Sequence, residues 1–196
     1  MTSEPKQRFS PAAPNNRSTS WHAAIVAITT VCLSVASYIE VPMIPVPITA
    51  QTYVLLTAAG LLGWKLGTVS TVLWLLLGAM GLPVLAGGSS GWDYFSGPTA
   101  GYLFAFPLAV AAVGLLFERG WNVKSIALAF LAMLLGHAVC LGFGGLWLAL
   151  TISPVDAFLK GVLPFLVGGI IKSALAVGTI LVADRFFQRA SYPLGG

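Results

Sequence analysis

Charge is what this sequence has least of: Asp, Glu, Lys and Arg together make up 8% of its 196 residues, against 57% hydrophobic. Soluble domains carry about 25% charged residues, so the balance excludes an ordinary water-facing surface and leaves an integral membrane protein. The Lys and Arg residues are spread along the chain rather than gathered in a basic patch, which speaks against a nucleic-acid partner. Acidic residues number six, too few for a proton relay, and no Ser, His and Asp are spaced for nucleophilic attack, so membrane-embedded catalysis is disfavoured. Histidine and cysteine occur twice each. Cys32 and Cys140 both fall in apolar runs, where a thiol behaves as a small hydrophobe. His137 and Cys140 stand at metal-ligand spacing on a helical face, yet two ligands do not make a zinc site, and packing is their expected role. A G-x-x-x-x-G-K-[ST] phosphate loop is also missing; GGIIKS at 168–173 has the wrong spacing and lies in an apolar run. No cofactor is expected, and any ATP hydrolysis must come from another chain.

What is present is a series of apolar stretches at roughly 21–39, 48–63, 66–82, 99–118, 124–150 and 164–187. Because about 20 apolar residues cross a bilayer as a helix, they predict an all-α integral membrane protein with six transmembrane helices. The second and third are short and flanked by Pro42, Pro45, Pro47, Gly81 and Pro83, so broken or tilted helices are expected there. Ser153 and Pro154 form a helix-start signal ahead of the last span. The polar, Pro- and Ser-rich opening reads as an unstructured cytoplasmic tail over 1–20, followed by a membrane domain over 21–187 and a second cytoplasmic tail over 188–196.

Orientation follows from the positive charges, which favour the cytoplasmic side. With six spans and both termini cytoplasmic, Lys6, Arg8, Arg17, Lys65, Arg119, Lys124, Arg185 and Arg189 all fall inside. Outside lie Glu40, Asp93 and Asp156, with Lys160 as the evident loop cation. The VPMIPVPITAQ loop and the glycine-rich loop at 81–102 then both face outward, where an uptake protein captures its ligand. In the second loop Gly87, Gly88 and Gly91 turn the chain without side-chain clashes, Ser89 offers a hydroxyl, and Trp92 and Tyr94 offer flat faces. Lys172 sits about eight residues into the last apolar stretch, roughly 12 Å below its outer end. An ammonium at such depth costs about 2.5–3.5 kcal/mol on insertion scales, so it is expected to face the bundle interior and serve a ligand or partner. Gln51, at the mouth of the second span, is a further polar group in apolar surroundings.

These residues carry a resemblance. PVPITAQT at 45–52, GLLGWKLGTVS at 60–70, GLPVLAGGSSG with GPTAGYL between 81 and 103, and PFLVGGIIK at 164–172 resemble BioY, the substrate-binding (S) component of energy-coupling-factor biotin transporters. The resemblance implies a six-helix bundle in the plasma membrane with a biotin pocket near its outer surface, built from the first and third outer loops and the ends of later helices. Carried over by position, it implies ligand contacts from Gly87, Gly88, Ser89 and Lys172, with Gln51 and Tyr102 lining the pocket. Many relatives have an aspartate three residues before the lysine, where this chain has Gly169. The ammonium is then compensated either by another acid, Asp156 or Asp93, or by backbone carbonyls and water. The resemblance also implies partners: a transmembrane coupling subunit and two ATPase subunits. Ala23 and Ala27 form a small-residue face on the first helix that matches the family's coupling patch. Two other readings stay open, an S component for a different small vitamin and a membrane scaffold that transports nothing.

Overall fold

The computed structural model describes residues 9–12 and 18–191. Its helices are α1 (Thr19–Tyr38), α2 (Gln51–Ala79), α3 (Ala100–Glu118), α4 (Ile126–Thr151), the one-turn α5 (Pro154–Ala157) and α6 (Leu163–Ser191). A π-helical turn, Phe158–Val162, joins α5 to α6. Between α1 and α2, β1 (Glu40–Val41) pairs antiparallel with β2 (Ile48–Thr49), Glu40 opposite Thr49. The glycine-rich loop between α2 and α3 forms two 3-10 turns, Ala86–Gly88 and Trp92–Phe95.

Among the described residues five helices, counting α5 and α6 as one run, are long and apolar enough to cross a membrane. The sequence suggests six, and the difference lies at Gly63. The stretches at 48–63 and 66–82 form one helical run, α2, broken where Gly63 adopts φ 73° and ψ 178°. That combination is open essentially to glycine alone. The chain folds back there: a Cβ built on Gly67 would lie 3.4 Å from Ala59 Cα. Eight residues of continuous helix would separate these positions by about 12 Å. The halves, 51–62 and 64–79, are about 18 and 24 Å long, both shorter than a typical hydrocarbon core of about 30 Å.

Opposite ends of the bundle are held by different contacts. At one end the Tyr38 hydroxyl donates to the Pro83 carbonyl, Gly91 N–H donates to Gly78 O at 2.8 Å, and Trp147 Nε1 donates to Gly97 O at 3.0 Å. The Gly63 corner lies at the other end, where Trp64 N–H reaches Glu118 Oε1 at 3.4 Å. Part of the opening segment packs at this second end. Ala12 is buried and its N–H donates to Leu61 O at 3.1 Å, while the Phe9 and Phe117 rings lie 6.0 Å apart. The rest of the expected tail, residues 1–8 and 13–17, lies outside the described residues. At the other terminus α6 continues through Ser191, into the stretch expected as a tail.

The core is built from Leu33, Leu56, Trp74, Val113, Phe117, Met133 and Ile180, all essentially inaccessible. Outward faces are apolar as well, with Val31, Leu76, Leu108, Leu135, Leu146 and Val182 exposed. Five buried hydroxyls inside the helices are satisfied locally: Thr29, Thr30, Ser37, Ser70 and Thr71 each donate to the carbonyl four residues earlier. In hydrocarbon this matters because no water can satisfy such groups.

Candidate functional site

A cavity of about 620 Å³, mouth included, opens among α2, α3, α4, α6 and the β1–β2 hairpin. Apolar walls come from Val46, Pro47, Leu103, Phe106, Leu141 and Phe165. Polar groups are few and spaced around them: Thr49, Gln51, Thr52, Tyr94, Thr99, Tyr102, His137 and Lys172. Apolar walls with a few separated polar groups are the mixture expected of a small-molecule site.

Lys172 is placed by α6 so that its Nζ meets the chain entering α2. It donates to Thr49 O at 2.6 Å and to Thr52 Oγ1 at 3.3 Å. Of the two ways to compensate the ammonium, the backbone carbonyl is the one used. Asp156 instead binds Lys160 at 2.8 Å and caps its own short helix through Ser153, while Asp93 is exposed. An ammonium has three protons, so two partners leave one for an occupant of the cavity.

Gln51 is fixed from both ends. Its Nε2 donates to Ser37 Oγ at 2.9 Å, and its Oε1 accepts from Thr49 Oγ1 at 3.0 Å. Ser37 passes the chain on to Leu33 O at 2.8 Å. This buried relay ties α1 and β2 to the start of α2 and so sets the position of the Thr49 carbonyl that Lys172 grips. Tyr102 lies flat on α4 because Gly144 opposes its ring, and any Cβ at 144 would collide with it. The Tyr102 hydroxyl donates to Gly161 O at 2.7 Å within the π turn, and its ring stacks on Phe165 at 6.2 Å. Gly169, one turn before Lys172, is also a wall of the cavity.

Four of the residues singled out from the sequence, Gln51, Tyr102, Gly169 and Lys172, therefore meet in one cavity. Gly87, Gly88 and Ser89 do not line it. Gly87 faces Glu40, Gly88 faces the Tyr38 ring, and the Ser89 carbonyl accepts from Leu85 N at 3.1 Å. From the same loop, Ala86, Tyr94 and Thr99 reach the cavity instead. Ala23 and Ala27 sit on the exposed face of α1, away from the cavity. Trp92 is 73% exposed and packs on Phe95 at 5.9 Å rather than on the cavity.

His137 and Cys140, expected from the sequence to be packing residues, line the cavity wall. The usable signal is a histidine on a face of an apolar helix that also carries Gly136 and Gly144. Thr52 and Phe165 were equally silent, since nothing local distinguishes them from other residues of an apolar helix. Among the described residues no group of three or more metal-ligating side chains occurs.

Comparison with known proteins agrees with this architecture. Residues 10–189 match the BioY family. The chain is 40% identical over 162 residues to a probable biotin transporter BioY of Pyrococcus horikoshii, covering 83% of this chain and 93% of that protein. It is 35% identical over 161 residues to a biotin transporter BioY of Rhizobium etli, covering 78% of this chain and 86% of the relative. Its fold is similar to the 2.1 Å crystal structure of the S-component for biotin from an ECF-type ABC transporter, with TM-score 0.77 and 28% identity over 89% of this chain and 94% of that one. Match length, identity and shared fold together make this chain a member of the BioY family.

Proposed function

We propose that this chain is a biotin-binding S component that captures biotin at the outer face of the plasma membrane and takes it inward when ATP-hydrolysing partners drive the movement. The observation that carries the reading is the cavity itself: Lys172, anchored on Thr49 and Thr52, keeps one proton for a ligand inside an otherwise apolar pocket. Biotin matches that chemistry. Its ureido carbonyl or carboxylate suits the ammonium, and its sulfur ring and valeryl chain suit Phe106, Leu141 and Phe165.

Six crossings with both termini cytoplasmic fit the folded-back α2, whose halves count as two short crossings. This arrangement puts Lys65, Arg119 and Lys124 at the Gly63 end, the cytoplasmic one, and Glu40, Asp93, Asp156 and the cavity mouth at the other. Gly87, Gly88 and Ser89 then form part of an outer cover over the ligand, hinged beside Glu40 and Tyr38. Ala23 and Ala27 on the exposed face of α1 serve as the docking patch for a transmembrane coupling subunit, which brings two ATPase subunits.

Equilibrium binding of radiolabelled biotin to the detergent-purified chain tests the reading. Saturable binding that unlabelled biotin displaces, and other vitamins do not, is the expected result. Preferential displacement by a different vitamin would reassign the ligand, and no saturable binding of any vitamin would leave a scaffold without cargo.

A further inference from the structure

His137 is 6% exposed and lies on the cavity wall. Its Nδ1 stands 3.1 Å from the Met133 carbonyl oxygen and 3.1 Å from Ser173 Oγ. A carbonyl oxygen only accepts, so the Met133 contact assigns the proton to Nδ1, with Ser173 Oγ as a second acceptor. In the neutral ring Nε2 is then a bare acceptor. It is buried and has no hydrogen-bond partner among the described residues. Buried polar atoms are almost always paired, and one that is not asks what pairs with it in the working state.

Gly169 lies against the edge of the ring that carries this atom. A Cβ built there would lie 3.3 Å from His137 Cδ2, the ring carbon bonded to Nε2. Any larger side chain at 169 would press on that ring edge, whereas with glycine there both residues line the cavity and a small shift of the ring brings Nε2, buried as it stands, to an occupant. The same turn of α6 carries Lys172, so a donor and an acceptor are offered to one occupant.

We propose that His137 is a specificity-determining residue: its Nε2 accepts a hydrogen bond from an N–H of the ligand's cyclic urea, while Lys172 donates to the adjacent carbonyl. The inference rests on the biotin reading above and deepens it. A donor paired with an acceptor selects a ureido or amide edge, which has C=O beside N–H, and rejects a carboxylate or lactone, which would leave the imidazole lone pair unanswered.

The test compares biotin with analogues methylated at either ureido nitrogen, on wild-type and His137→Leu protein. In the wild type, methylating one of the two nitrogens is expected to weaken binding at least tenfold. In His137→Leu, biotin affinity is expected to fall at least tenfold and the discrimination between biotin and that analogue to shrink to within twofold. Discrimination that survives unchanged in the variant overturns the proposal while leaving biotin as the ligand. A wild type that binds no biotin overturns both. Should the variant fail to fold, nitrogen NMR of ¹⁵N-histidine-labelled wild type decides the matter, since the chain has only two histidines and His22→Gln assigns them. An unprotonated Nε2 whose resonance moves on adding biotin is expected; a protonated Nε2 in the free protein, or a resonance that biotin leaves unmoved, refutes the assignment.

Discussion

Replacing Lys172 by methionine removes the ammonium and keeps most of the stem, which isolates the charge as the variable. Two of its protons are held by Thr49 O and Thr52 Oγ1 at 2.6 and 3.3 Å, so the ligand's share is one charge-assisted hydrogen bond. Such a bond contributes about 1.5–3 kcal/mol, and about 1.4 kcal/mol is a factor of ten, so the Kd for biotin should rise about 10- to 150-fold. Stability should change far less. Losing the donor to the Thr49 carbonyl costs about 1–3 kcal/mol, whereas no longer placing an ammonium in the bilayer returns about 2.5–3.5 kcal/mol. The two effects oppose each other, and the thermal midpoint in detergent should stay within a few degrees. Radioligand binding and a melting curve on the same preparation read both quantities. A Kd within threefold of wild type, with an unchanged midpoint, would refute the claim that this ammonium touches the ligand.

Three further outcomes follow from the geometry. Gly63→Ala should destabilise the protein by about 1–3 kcal/mol, because the corner's φ of 73° disfavours any Cβ and one placed there would lie 2.7 Å from Glu118 Oε1; denaturant titration in detergent measures this, and a neutral result would mean that the corner is formed differently. Gly169→Val should crowd the His137 ring and the cavity beside it and lower biotin affinity more than tenfold, with some loss of melting temperature, since a Cβ there would lie 3.3 Å from His137 Cδ2 and the ring must give way; unchanged binding would mean that the cavity is not the site. In a background with Cys32 and Cys140 replaced by alanine, Asp93→Cys should react with an impermeant maleimide in intact cells and Lys124→Cys only after permeabilisation. The reverse pattern would invert the proposed topology.

The sequence alone settled what depends on composition and local pattern. Scarce charge and long apolar runs placed the chain in a bilayer, and the edges of α1, α3 and α4 fell within a few residues of those runs. Ser153 was legible as a cap, because a side-chain oxygen three residues from the N–H it binds is a local relation; Ser153 Oγ accepts from Asp156 N at 3.1 Å. Lys172 stood out because a buried ammonium is costly wherever the rest of the chain lies. Tertiary structure decided which of those residues meet. The partner of Lys172 is Thr49, 123 positions away, and nothing near either residue announces the other. The glycine loop was chemically suggestive, yet packing turned Gly87 and Gly88 toward Glu40 and Tyr38 and sent Ala86, Tyr94 and Thr99 to the cavity. From the sequence His137 is expected to pack, since two ligands do not make a metal site; its place on the cavity wall appears only once α4 and α6 are side by side. Hydropathy is a property each residue brings with it, whereas a binding site is a set of distances between segments, and those distances are fixed by how helices pack.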